Sequence, residues 1–222
     1  CDDKLIDEKI EEKMDLVKDQ LLERFEMQCS KKVYNFPFLL GQALWIDSEK
    51  LRETDNLRKV LKQGTMSIGF TGLAECLKAL TGKHHGESKE AQELGLKIIS
   101  FMRDKCDKYS EKYNLNFSLT ATPSGNLTTE LIKMDQAIYG KVKNITDKEI
   151  YTDSFQLPKD FEVSTYRKIE LEAPYHELTN GGHITEVNLE ENATVEEFMK
   201  TIETMKKHNI GCCTISKTKV DN

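Results

Sequence analysis

Apolar residues recur every three or four positions along three long stretches of the chain, the spacing that buries one face of an amphipathic helix. These stretches span residues 3–30, 88–113 and 193–208. Ser88 is placed to cap the second of them. We therefore predict three long helices. The stripe predicted to be buried in the first helix consists of Ile6, Ile10, Met14, Val17, Leu21, Phe25 and Cys29.

Shorter apolar runs, rich in residues that favour strands, lie between the helical stretches. They occupy residues 116–120, 183–189 and 209–216, and a further run starts at residue 66. Strands that alternate with helices favour an α/β fold with parallel strands. The apolar segment 33–45 is interrupted by a proline and a glycine, so we expect it to be buried but irregular or extended.

The composition excludes several classes of function. The chain has 222 residues and a formal net charge of −6, so it lacks the basic surface with which a general nucleic-acid-binding protein neutralises phosphates. No apolar run reaches the ~18 residues that a transmembrane helix needs, and no secretory signal is visible. The six cysteines show no CxxC spacing. We therefore expect a cytoplasmic protein with neither a membrane nor a nucleic acid as partner.

The stretch "SLTATPSGNLTTEL", residues 118–131, leads from a predicted strand through a polar turn into a predicted helix. The start of a helix presents free backbone N–H groups and the positive end of the helix dipole. One interpretation is a capped helix, with Ser124 or Asn126 as the N-cap. The other is a phosphate cradle. A Walker A loop is excluded because no GK[ST] follows, and Glu130 in the first turn would repel a phosphate. The residues alone leave both interpretations open.

Other residues capable of chemistry favour structural roles. Glu172, His176 and His183 together would make a possible metal site, but their spacing matches no standard zinc pattern. A loop role is expected for the adjacent pair His84 and His85. The adjacent thiols at residues 212–213 lie in an apolar predicted strand, so we expect buried, inert cysteines, with a reactive thiol as the alternative.

Five longer strings follow one another in order over nearly the whole chain. They are "YNFPFLLGQALWIDSEKL", "GTMSIGFTGLAECLKALTGKHHGESKEAQELGLKII", "NLNFSLTATPS", "EIYTDSF" and "IELEAPYHELTNGGHIT". Together they resemble one family of glycyl-radical enzymes, the anaerobic (class III) ribonucleoside-triphosphate reductases. The most specific parts are the long ones at residues 69–88 and 172–185. Since the chain also begins with a cysteine, we expect an internal segment of a longer protein.

The resemblance implies a fold and an activity. The family has a ten-stranded α/β barrel made of two antiparallel halves, and residues 1–222 resemble the second half as a single fragment of that catalytic barrel domain. The family reduces ribonucleoside triphosphates to deoxyribonucleotides by radical chemistry. Strings like "MGCR" and "RVCGY", which would mark the two radical residues, do not occur in this sequence, so no catalytic residue is assigned. We expect the isolated segment to be inactive.

The resemblance also implies cofactors and partners. The segment itself is expected to bind no cofactor, with the glycyl radical and a zinc site elsewhere in the full chain. An iron–sulfur activating enzyme would install the radical, and formate or a thiol system would supply electrons. The family also implies a homodimer and a cytoplasmic location.

Carried over to this sequence, the resemblance implies site residues. The turn of Thr122, Pro123, Ser124 and Gly125 would lie at the substrate phosphates, bound mainly by backbone N–H groups. A second set would line the barrel interior. Its members are Asp153, Ser154, Gln156, Asn180 and His183.

The sequence departs from the family pattern at several of these places. Where the family usually reads "ATPAEGLSGRF" this chain reads "ATPSGNLTTEL", and Glu130 replaces an arginine. "NSFHVP" has become "DSFQLP", with Asp153 and Gln156 in place of asparagine and histidine, and "INHPVD" has become "ISKTKVD" at 215–221. A part of a working reductase is the favoured hypothesis. The alternatives are a diverged, non-catalytic nucleotide-binding or regulatory module and a purely structural half-barrel.

Overall fold

The computed structural model describes residues 3–121 and 125–218. Helices and strands alternate along these residues, so the prediction of an α/β fold is confirmed. Among them, no helix is both long enough and apolar enough to cross a membrane. The elements are α1 (Asp3–Cys29), α2 (Arg58–Leu61), β1 (Thr65–Phe70), α3 (Leu73–Thr81), α4 (Lys89–Tyr113), β2 (Asn116–Ala121), α5 (Asn126–Tyr139), α6 (Thr165–His176), β3 (Thr185–Glu190), α7 (Val195–Lys207) and β4 (Cys213–Thr218).

The chain forms two compact units, which we describe separately. The N-terminal unit contains residues 3–68 and 104–118, and the C-terminal unit contains residues 69–103 and the described part of 119–222. Strands β1 and β2 form one two-stranded sheet, and β3 and β4 form another. Those residues predicted to carry function that the structure describes all belong to the C-terminal unit.

In the N-terminal unit, α1 buries part of the predicted stripe. Met14, Phe25 and Cys29 are buried as expected, and the other predicted positions are half-buried except one. Val17 is 36% exposed, and its neighbour Lys18 is only 8% exposed. The Lys18 ammonium lies 2.9 Å from the Asp19 carboxylate and also lies over aromatic rings of α4. A lysine can be buried here because its charge is paired and its stem packs on those rings.

The apolar segment 33–45 is irregular, as predicted, but the expectation that it is buried is wrong for most of its side chains. It contains a 3-10 helix at Val33–Asn35 and a series of turns. Val33 and Leu40 pack into a core cluster with Leu57 and Val60. Tight turns point successive side chains in different directions, so few of them can reach one core. Those that remain exposed are Tyr34, Phe36, Phe38, Leu39 and Leu44.

The centre of the C-terminal unit is a β3–α7–β4 unit with parallel strands, which confirms the predicted parallel arrangement. The register pairs Val187 with Ile215. The core beneath the strands is formed by Ile169 of α6 and Met205 of α7 together with Val187 and Leu189. The other face of β3 carries polar side chains, so alternation along the strand separates the core from a polar surface.

Helix α6 was missed by the sequence analysis, because it is not among the helices predicted there. Ser164 caps the helix by accepting a hydrogen bond from the Arg167 backbone N–H. The prediction failed because Pro174 lies inside the helix, and a proline removes one helical hydrogen bond. Burial of an apolar face that includes Ile169 and Tyr175, both with no exposed area, offsets that loss.

We predict that Ile169→Ala lowers the free energy of unfolding by about 2–5 kcal/mol, because the side chain is fully buried and its removal leaves a cavity. The exposed neighbour Glu170 gives the control, since Glu170→Ala should change stability by about 0.5 kcal/mol or less. Urea unfolding followed by circular dichroism measures both. Equal effects of the two substitutions would contradict the packing of α6 on β3.

Candidate functional site

The candidate site begins where β2 ends and α5 starts. Strand β2 ends at Ala121 and α5 begins at Asn126, so the predicted strand and the predicted helix are confirmed. Gly125 occupies the N-cap position with a φ of 49°, and no side chain in the described part of the chain caps this helix. Asn126 is therefore the first helical residue, and its prediction as the N-cap is wrong. Three of the four predicted phosphate-binding residues, Thr122, Pro123 and Ser124, lie outside the described residues.

The loop that carries Asn180 runs beside β2. The Asn180 side-chain oxygen accepts a hydrogen bond from the Leu119 backbone N–H at 3.0 Å, and the Gly181 N–H donates to the Leu119 carbonyl at 2.8 Å. The Ala121 N–H then donates to the Gly182 carbonyl at 3.0 Å. The φ of Gly182 is 125°, a conformation that favours glycine. These contacts bring the loop to the end of β2 that leads into the polar turn.

His183 follows this loop and packs against His176, with ring centroids 3.8 Å apart. His183 Nδ1 lies 3.2 Å from the Thr179 hydroxyl, and His176 Nε2 lies 2.7 Å from the Thr185 hydroxyl. Burial lowers the pKa of His176 to about 3 and also lowers the pKa of His183. Both rings are therefore neutral at neutral pH, and neither supplies a positive charge to an anion.

The loop 151–158 brings Gln156 to the same region. The Gln156 side-chain amide donates to the carbonyl of Ile184 at 3.4 Å, next to His183. Asp153 is half-buried and lines a cleft with Gln156, and its carbonyl accepts the Gln156 N–H at 3.0 Å. Ser154 is buried and has a φ of 46°. The structure thus brings Gln156, Asn180 and His183 together, while Ser154 is buried and shapes the loop.

The backbone of the loop 151–158 is held by three buried side chains. The sequence analysis did not connect any of them with this loop. They are Glu75, His85 and Glu172, which are exposed by 3%, 0% and 0%. The sequence did contain a signal for Glu172, which lies three residues from Ile169 and from Tyr175 on the buried stripe of α6. Pro174 obscured that helical period. His85 is part of a connecting loop, as predicted, but it is fully buried there.

Glu130 lies in the second turn of α5 rather than the first, so the expected position beside the turn is wrong. The helix begins four residues before it, and its carboxylate lies 3.3 Å from the Lys133 ammonium. Both side chains are more than half exposed. Pairing with a lysine and screening by water weaken any repulsion of a phosphate by Glu130.

The structure also answers the questions about metals and thiols. Within residues 3–121 and 125–218, no three His, Cys, Asp or Glu side chains are arranged to hold a metal ion. Glu172, His176 and His183 therefore do not form the metal trio that the sequence left open. Cys212 and Cys213 are exposed rather than buried, so the expectation of buried, inert thiols is wrong.

Solved structures define the class of fold. The chain is similar to an anaerobic ribonucleotide reductase from Thermotoga maritima with glycerol in the active site, with a TM-score of 0.72, 17% sequence identity, and coverage of 96% of this chain and 32% of that one. A structure from the same organism with dATP bound in the specificity site gives a TM-score of 0.72, with 17% identity and coverage of 96% and 34%. The described units thus adopt a fold found within these enzymes.

The family follows from the sequence comparison. A family model described as "Anaerobic ribonucleoside-triphosphate reductase" matches residues 1–220. The chain therefore belongs to the anaerobic ribonucleoside-triphosphate reductase family, and the resemblance is confirmed.

Enzymes of that name provide similar sequences. The one from Salmonella typhimurium is 32% identical over 178 residues, covering 79% of this chain and 25% of the relative. The one from Escherichia coli is 36% identical over 138 residues, covering 61% and 19%, and the one from bacteriophage T4 is 32% identical over 180 residues, covering 80% and 28%. The chain thus spans about a quarter of the length of these relatives.

We predict that the C-terminal unit loses stability as pH falls from about 6.5 to 4. Burial lowers the pKa of His85 to about 4 and that of His176 to about 3, so the folded state keeps both rings neutral while the unfolded state binds protons. At pH 5 each histidine should cost about 2 kcal/mol relative to pH 8. Urea unfolding at the two pH values measures the loss.

The variant His85→Gln isolates one of the two histidines. An amide can still donate to the Phe155 carbonyl that His85 Nε2 contacts at 2.8 Å, but it does not titrate in this range. The loss between pH 8 and pH 5 should shrink by about 2 kcal/mol in this variant. Burial raises the pKa of Glu172. Its contribution to the free energy of unfolding therefore falls as pH rises, so Glu172 cannot explain a loss of stability in acid. An unchanged pH dependence would refute the assignment to His85.

Proposed function

We propose that the protein containing this chain is an anaerobic ribonucleoside-triphosphate reductase that converts ribonucleotides to deoxyribonucleotides by radical chemistry. The observation that carries the proposal is the family model, which matches residues 1–220 from one end of the chain to the other. A ribonucleoside triphosphate is the proposed substrate. This part of the enzyme would contribute barrel structure and the binding of the substrate phosphates.

We assign residues 1–222 to one catalytic barrel domain of ten strands, with this chain as its second half. Three features of the chain support this assignment. These are the likeness to solved reductases, the parallel pairing of β3 with β4 and the presence of two separate two-stranded sheets. Two-stranded sheets are weak units by themselves, so strands from the remainder of the protein would complete them.

The proposed phosphate site is the turn formed by Thr122, Pro123, Ser124 and Gly125. The 14-residue helix α5 starts at this turn, and none of the described side chains caps it, so its first N–H groups are available to an anion. The hydroxyl of Thr120, two residues before the turn, is buried and has no hydrogen-bond partner among the described residues. The neighbouring histidines are neutral, so recognition would rest on the helix dipole and on neutral donors, which are the backbone N–H groups and the hydroxyls of Thr122 and Ser124.

The second proposed set lines the barrel interior. It consists of Asp153, Ser154, Gln156, Asn180 and His183. Hydrogen bonds join the loop that carries Asn180 to β2, and Gln156 to the carbonyl of Ile184. These contacts support Gln156, Asn180 and His183 as neighbours of the turn. Ser154 is buried, so its proposed part is to shape the loop.

The remaining machinery is proposed to lie elsewhere in the protein. The glycyl radical, the cysteine that forms the thiyl radical and the zinc site would belong to other parts of the full chain. An iron–sulfur activating enzyme would generate the radical, and the reductase would act as a cytoplasmic homodimer. No step of the reaction is assigned to a side chain of this segment.

A second candidate is a diverged relative that binds nucleotides without reducing them. The observation that favours it is the replacement of interior residues, since Asp153 and Gln156 stand where the family usually has asparagine and histidine. Aspartate at this place adds a negative charge and removes an amide donor. Binding with no turnover would distinguish this candidate from a working reductase.

The deciding experiment is an anaerobic assay of the full-length protein with its activating enzyme, ribonucleoside triphosphates and either formate or a dithiol. Deoxyribonucleotide formation together with a glycyl-radical signal in electron paramagnetic resonance is the expected result. Nucleotide binding with no product and no radical would support the diverged module. Neither binding nor product would support a purely structural role.

We further predict that the double substitution Thr122→Ala/Ser124→Ala in the full-length protein weakens binding of a ribonucleoside triphosphate by about threefold to tenfold per lost hydrogen bond. Isothermal titration calorimetry measures the affinity. Thr194→Ala is a matched control, because it removes a hydroxyl that caps α7 and should affect stability only. Unchanged affinity in the double variant would count against the phosphate site.

A further inference from the structure

The loop 151–158 has no regular secondary structure, yet its backbone is held at three points by side chains from other elements. The Glu75 carboxylate of α3 accepts hydrogen bonds from the Thr152 backbone N–H at 3.2 Å and from the Thr152 hydroxyl at 2.7 Å. His85 Nε2 donates to the Phe155 carbonyl at 2.8 Å, and Glu172 Oε1 accepts the Leu157 N–H at 2.9 Å.

Two of these contacts lie on either side of Gln156. The carbonyl of Phe155 precedes the Gln156 residue and the N–H of Leu157 follows it, so the peptide groups that flank Gln156 are both fixed by fully buried side chains. The Phe155 ring is also fully buried and stacks on the Tyr175 ring, with centroids 5.3 Å apart. Gln156 therefore has little freedom to move relative to the core.

Burying a carboxylate is costly, and an apolar residue of similar size would usually be as stable or more stable. Glu172 is nevertheless buried with a charged partner, since Lys168 Nζ lies 2.5 Å from the same oxygen that accepts the Leu157 N–H. Its second oxygen has no partner among the described residues. Such an arrangement defines the position of the loop rather than maximising stability.

We propose that His85 and Glu172 are positioning residues, which fix the peptide groups on either side of Gln156 and thereby set where Gln156 and Asp153 stand in the substrate site. The inference rests on the proposed function. Neither side chain reaches the cleft itself, because both are fully buried. Their effect on the reaction would pass through the loop.

The first test uses His85 in the full-length reductase. His85→Leu keeps a similar volume but cannot donate to the Phe155 carbonyl, whereas His85→Gln restores a donor. We expect His85→Leu to lower kcat/KM by about tenfold to a hundredfold, because a small misplacement of a substrate-site group has effects of that size. His85→Gln should stay within about threefold of the wild type, as expected when one donor replaces another.

A second test removes the other contact without leaving a lone charge. The double substitution Lys168→Met/Glu172→Leu replaces both partners of the buried pair by apolar residues, which protein folds tolerate, and it removes the acceptor of the Leu157 N–H. It should also lower kcat/KM by about tenfold or more. This variant decides the question if His85→Leu does not fold.

Ile169→Ala is the matched control, because it destabilises α6 in a core cluster whose members lie outside the loop 151–158. It should keep kcat/KM within about threefold, since it removes none of the hydrogen bonds that hold the loop. Hydrogen–deuterium exchange of the peptide covering 153–158 is the second readout, and exchange should accelerate in the two loop variants but not in Ile169→Ala. Unchanged kcat/KM in folded loop variants, or an equal loss in Ile169→Ala, would overturn the inference.

Failure of the proposed function gives a separate outcome. If the activated wild type forms no deoxyribonucleotide, the proposed reductase activity fails, and hydrogen exchange alone then judges the positioning of the loop. Faster exchange of 153–158 in the His85→Leu protein but not in the His85→Gln protein would support it. Identical exchange in wild type and both variants would overturn it.

Discussion

A buried backbone N–H or carbonyl group must find a hydrogen-bond partner, and the candidate site of this protein depends on that constraint. The site is built from two irregular loops rather than from regular elements. The loop around Asn180 satisfies its peptide groups against β2, and the loop 151–158 satisfies its own against Glu75, His85 and Glu172. These pairings place segments that are far apart in the sequence at the end of one strand.

Burial and pairing also decide which side chains near the candidate site carry a charge that could act on an anion. His176 and His183 are kept neutral by burial, and Glu130 is exposed and paired with Lys133. Neither cationic histidines nor a strongly repelling carboxylate therefore dominates the region. The uncapped start of α5 is the remaining source of positive potential described there, which fits an anion held by N–H groups.

Family membership and the structure together explain the unusual surface of this chain. It spans about a quarter of the length of its curated relatives. Exposed apolar side chains recur on α7, at Val195, Phe198, Met199 and Ile202, with the spacing of a helical face. A face of this kind is normally buried, so the surface is consistent with a part of a larger protein.

The sequence by itself determined the local elements and the family. The helical periods predicted α1, α4 and α7, and the strand and helix predicted on either side of the polar turn are present as β2 and α5. The long strings identified the reductase family. These signals are local or depend on order along the chain, so they can be read without a structure. The apolar period of α6 was present too, but Pro174 concealed it.

Only the tertiary structure decided which side chains are buried and what they contact. Lys18 rather than Val17 is buried because the tyrosines of α4 lie opposite it. Most of the apolar segment 33–45 is exposed because its turns point the side chains in different directions. His85 and Glu172 are 87 residues apart in the chain. The sequence could not reveal that they hydrogen-bond the two peptide groups that flank Gln156. Contacts of that kind depend on how elements pack, and no local pattern encodes them.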